Sequence, residues 1–119
     1  MLWAVTAYFN PERYQRRLAN YREFRARLEA PLIAVELGFD GRFELDAGDA
    51  DLVLRIEEGA VLWQKERLVN IALDRLPDSC DAVLCIDCDV FFLFPERCSD
   101  AVGLLDRYPV VQPYSSVLH

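Results

Sequence analysis

Short unbroken apolar runs alternate along the chain with longer stretches in which apolar residues recur every three or four positions. LWAVTAY (2–8), LIAVELG (32–38), DLVLRIE (51–57) and DAVLCID (81–87) have the length and apolar content of buried strands. Asn10-Pro11 breaks the first run and opens a helix over 12–29, where Tyr14, Leu18, Tyr21 and Leu28 keep helical spacing. Arg13, Arg16, Arg17, Arg22 and Arg25 lie between them as a solvated face, and Pro31 ends the helix. A second helix is predicted over 60–76, between Gly59 and Pro77, and a third over 95–108, started by Pro95. RFEL (42–45), inside a loop rich in Gly and Asp, reads as a further short strand, and VVQ (110–112) as a last extended piece. Strands alternating with helices imply right-handed crossovers. The expectation is an α/β fold, three-layered and Rossmann-like, with a largely parallel sheet.

Composition narrows this picture. At 119 residues and 53% hydrophobic content, the chain suits one domain over 1–119 with a real core. A net charge of -7 argues against a general nucleic-acid surface, so any phosphate site must be local. MLWAVTAYFN lacks the basic leader and apolar core of a signal peptide. Aspartates interrupt the apolar runs well before the roughly 20 residues that a membrane span requires. A cytoplasmic protein without a span is expected. Cys85 and Cys88 have C-x-x-C spacing, but no second pair accompanies them and the single His is His119. Reduced structural thiols fit better than zinc.

The chemistry concentrates in LCIDCDVFF (84–92), where two aspartates interrupt an apolar run. A buried carboxylate without a partner is costly, so something must meet them. In parallel sheets, ligands bind at the carboxyl ends of the strands, where Asp87 closes its strand and Asp89 follows. Residues i and i+2 share a face, so both carboxylates can converge on one hard cation while Cys88 points away. Taken alone, the pair also fits a strand end with one carboxylate capping a turn. The second helix starts near the same edge. Trp63, Glu66, Arg67 and Asn70 share one face, while Leu62, Leu68, Val69, Leu73 and Leu76 form the opposite core-facing stripe. Lys65 falls in the apolar sector, from which it can either snorkel or reach the site as a phosphate-directed cation.

WAVTAYFNP, LWQKERLVNIAL and AVLCIDCDVFF, in that order, resemble the nucleotide-sugar-binding half of glycosyltransferases with the GT-A fold. The LVN segment, preceded by basic residues and followed by an Asp-x-Asp strand, is similar to the galactosyltransferase branch. This resemblance implies that Asp87 and Asp89 hold Mn²⁺ or Mg²⁺ on the diphosphate of a nucleotide sugar, a UDP-sugar above all. Asp89 would be the direct ligand and Asp87 a ribose or second metal contact. By the same resemblance Ala7, Tyr8 and Phe9 line the nucleotide pocket, Glu36 lies near the base or ribose, and Lys65, Arg67 and Asn70 tie the second helix to the donor. Asn70 is followed by Ile71-Ala72 where the galactosyltransferase pattern has a glycine, so the sugar is not fixed.

The chain ends before the part that carries the acceptor site, the usual base and a further metal ligand in such enzymes. The expectation is therefore a donor-binding portion, incomplete at its C-terminus, with transfer to an unknown acceptor or with a partner covering the missing half. A non-catalytic remnant that binds a nucleotide sugar or a protein partner is the alternative. A haloacid dehalogenase-like phosphatase also uses Asp-x-Asp, but its motif normally lies on the first strand with a small or hydroxylated residue where this chain has Phe91.

Overall fold

The computed structural model describes residues 1–57, 65–88, 90 and 97–113. The strands are β1 (Leu2–Phe9), β2 (Leu32–Leu37), β3 (Leu52–Ile56) and β4 (Ala82–Cys85). The helices are α1 (Gln15–Arg27), α2 (Lys65–Leu73) and α3 (Arg97–Leu104), with a 3₁₀ turn at Ala47–Asp49. The sheet has the order β3-β2-β1-β4, and all three pairings are parallel. This is the expected α/β architecture.

The order also fixes the layers. From β1 the chain steps outward through β2 to β3, then returns across the sheet to place β4 on the other side of β1. Crossovers of one hand then put the β1–β2 connection on one face and the β3–β4 connection on the other. Tyr21 and Phe24 of α1 accordingly pack with Ala4, Tyr8, Leu32 and Ala34, joined by Leu45 and Ala50 from the β2–β3 connection. Leu68 and Ala72 of α2 pack with Val5, Ile33, Val35 and Leu37 on the opposite face. Successive strand residues serve opposite layers, so β2, which is central and covered on both sides, is buried throughout.

Local chemistry moved several boundaries. α1 begins at Gln15 rather than at 12 because Asn10 holds the turn before it. The Asn10 amide oxygen accepts the Tyr14 N–H at 3.1 Å, and its amide nitrogen donates to the Tyr14 carbonyl at 3.0 Å. RFEL is not a strand. Arg42 makes only an isolated bridge to Phe39, and the N–H groups of Glu44 and Leu45 go to the Glu36 carboxylate instead of a ladder. VVQ is not a strand either: Pro109 and Pro113 bracket it, and Val110 stays 85% exposed. On α2, Leu68 and Ala72 are buried, whereas Leu73, expected in the core stripe, is exposed. Trp63, Leu62, Phe91 and residues 60–64 of the expected second helix lie outside the described residues. Among the described residues, no helix is long and apolar enough to cross a membrane.

Candidate functional site

Strand order reverses between β1 and β4, and in open parallel sheets the strand ends on either side of such a point border a crevice where ligands enter. Asp87 lies at this crevice. It does not close β4, as expected, but sits two residues beyond Cys85, after Ile86 has added one more bond to β1 by donating to the Val5 carbonyl at 3.2 Å. Its own carbonyl accepts the Val90 N–H at 3.3 Å, so the chain turns directly after it. Opposite stands Lys65, the first described residue of α2, whose ammonium donates to the Asp87 carboxylate. That bond is the main cause of a raised Lys65 pKa. The side chains are 38% and 54% exposed, so the pair lies open to solvent and contributes little to stability. Cys88 instead packs toward the α1 layer, on the other side of the sheet. Arg67 and Asn70 are exposed on the outer face of α2. Asp89 lies outside the described residues.

The remaining expected donor contacts are engaged in the fold. Tyr8 is fully buried, with its ring edge-on to Tyr21 at 5.5 Å, and burial raises the pKa of its phenol far above the usual range. Phe9 is half-buried and meets Phe39 edge-on at 5.3 Å. Ala7 packs toward the α2 layer. Glu36 is 2% exposed, and its two oxygens accept N–H groups from Glu44 at 2.7 Å and Leu45 at 2.9 Å. Burial raises its pKa, against the lowering effect of those two bonds. A carboxylate held in this way positions the 39–45 loop.

That loop forms one wall of a cleft of about 460 Å³ over the ends of β1 and β2, lined by Asn10, Arg13, Glu36, Phe39, Phe43 and Glu44 among others. Asn10, 6% exposed, ties the two walls by donating to a Glu44 carboxylate oxygen at 2.8 Å. The Phe43 ring lies directly over Gly38, where a Cβ would come within 2.5 Å of it, and the Arg55 guanidinium stands 5.4 Å from its centre. Apart from Glu36, none of these lining residues follows from the strand and helix pattern. The one local signal was Asn10-Pro11, which marks a turn without revealing that the Asn side chain crosses the cleft.

The occupant expected at the crevice is a hard cation of the Mg²⁺ type. Such an ion takes one or two carboxylates from the protein and fills its remaining positions with phosphate oxygens and water. Asp87 is an exposed carboxylate already paired with a cation. Among the described residues, no group of three or more His, Cys, Asp or Glu side chains could hold a metal by itself. Compared with known protein families, with curated proteins and with solved structures, the chain matches none.

Proposed function

We propose that this chain binds the diphosphate of a nucleotide sugar, a UDP-sugar above all, at the crevice between β1 and β4. The observation that carries the reading is the meeting of Lys65 and Asp87, two opposite charges from different elements, at the point where strand order reverses. Asp87 and Asp89 would hold Mn²⁺ or Mg²⁺, which supplies Lewis-acid stabilisation to a leaving diphosphate. Lys65 serves as the phosphate-facing cation once its carboxylate partner is engaged, and Arg67 and Asn70 extend the polar rim of α2. The backbone at Ala7, Tyr8 and Phe9 borders the nucleoside, since the Tyr8 side chain belongs to the core. Glu36 acts through the loop it holds, without touching the base or ribose.

Transfer to an acceptor would follow on this binding step. Calorimetric titration of the full chain with UDP, with and without Mn²⁺, tests the reading. Binding is expected to need the metal and to be lost in Asp89→Asn; metal-independent binding, or an isotherm unaltered by the substitution, contradicts it. A non-catalytic, partner-binding domain is the second reading. Leu104, Tyr108 and Val110, exposed by 44%, 55% and 85% at the C-terminal side, favour it. It takes the lead if UDP does not bind under any condition.

A further inference from the structure

The cleft over the ends of β1 and β2 contains several charged groups, and most are already occupied. The Glu36 carboxylate holds two backbone N–H groups, and Asn10 is engaged through both of its amide atoms, with Tyr14 and Glu44. The Phe43 ring is fixed between Gly38 and Arg55. What remains is a pair of guanidiniums. Arg13, from the turn before α1, and Arg42, from the 39–45 loop, both line the cleft, both are exposed, and neither side chain has a hydrogen bond or ion pair among the described residues.

Both arginines are presented by left-handed turns. Arg13 itself has a φ of 56°, and Arg42 follows Asp40 at 56° and Gly41 at 70°. Arg13 and Asp40 are the non-glycine residues with positive φ among the described residues. A left-handed conformation is strained for a long side chain and free for glycine, so an arginine held there at a cleft wall points to a role beyond turning the chain.

We propose that this cleft is a second ligand site, taking a small organic anion whose carboxylate or phosphate group is gripped by Arg13 and Arg42. Guanidiniums recognise both groups through paired, charge-assisted hydrogen bonds. A cleft of about 460 Å³ has room for an organic body behind the anionic group. Two acids share the lining, with Glu36 oxygens engaged by backbone N–H groups and a Glu44 oxygen by Asn10, so the guanidiniums are the groups left to meet an anion. The cleft lies on the β2 side of β1 and the Lys65–Asp87 crevice on its β4 side, with about 10 Å between the ends of β2 and β4.

The test is an amide chemical-shift titration of the full chain with inorganic pyrophosphate in one arm and citrate in the other, without metal. Saturable shifts at Arg13, Gly41 and Arg42 are expected in at least one arm, and the responding arm tells phosphate from carboxylate. Arg13→Gly and Arg42→Gln should each weaken binding by about ten-fold or more, as loss of a charge-assisted contact implies. Arg13→Gly should also unfold at a higher temperature, because glycine accepts this backbone without strain. Loss of binding in a more stable protein cannot be a folding defect. Asp87→Asn should leave the titration unchanged.

The proposal is overturned if neither probe gives saturable shifts, if both arginine variants bind as the parent does, or if Asp87→Asn abolishes binding and so places the probe in the crevice. Failure of metal-dependent UDP binding would leave this result standing.

Discussion

The two ends of the same sheet edge are built on opposite principles. Over β1 and β2, polar groups are buried and tied to one another: Asn10 links the walls of the cleft, and Glu36 holds the loop that forms one of them. At β4, Lys65 and Asp87 form a solvent-exposed pair. The first arrangement makes shape, because buried hydrogen-bonded groups lose much when a partner is removed. The second leaves charge available for exchange, because an exposed ion pair is worth little to the fold and can be given up to a ligand.

Breaking the latch of the cleft should therefore have the largest effect on stability. Asn10→Ala removes the bond to Glu44 and both contacts to Tyr14, leaving part-buried groups unpaired, and is expected to cost about 2–4 kcal/mol in denaturant unfolding. A loss below about 0.5 kcal/mol would mean that the walls do not depend on it. Gly38→Ala sets a Cβ within 2.5 Å of the Phe43 ring and 2.8 Å of the Arg42 carbonyl, so the loop must shift. The expected cost is about 1–3 kcal/mol, with the amides of residues 39–45 losing exchange protection.

Glu36→Gln should cost about 1–3 kcal/mol near neutral pH, since one of its two backbone donors then faces an amide NH₂. Its pH signature is more telling. Burial raises the Glu36 pKa above its ordinary value of 4.5, so between the two values the folded chain holds a proton that the unfolded chain has released. The resulting stabilisation is full below 4.5 and is lost as pH rises through the raised pKa, and Glu36→Gln should flatten that decline. An unchanged slope in thermal melts across the acid range would show that Glu36 does not carry it. Asp87→Asn is the smallest case, with a stability change under about 1 kcal/mol, and yet it should remove metal-dependent UDP binding.

This contrast also explains what the sequence made legible. Strand and helix alternation identified the four parallel strands, because each is an apolar run whose two faces meet two layers. Lys65 could be brought toward Asp87 by the same reasoning, since a crossover helix begins near the edge where its strands end. The cleft was not legible in that way. Its walls depend on single side chains crossing between loops, such as Asn10 to Glu44 over 34 positions, and no periodicity encodes such a contact. RFEL looked like a strand because its residues suit one, but the Glu36 carboxylate took the N–H groups that a ladder would have needed. Tyr8 is a pocket residue only by the resemblance of WAVTAYFNP, which carries no information about its side chain packing edge-on to Tyr21.

The central claim is that a metal-bound diphosphate enters between β1 and β4. Its most direct test is a titration of the isotopically labelled full chain with UDP in the presence of saturating Mg²⁺, followed amide by amide and at the Lys65 ammonium. The account predicts saturable shifts at Ala7–Phe9, Lys65 and Asp87, with the Lys65 signal moving as its bond to Asp87 is replaced, and none of these in Asp87→Asn. Saturable shifts confined to another part of the chain, or the same shifts without Mg²⁺, would contradict it.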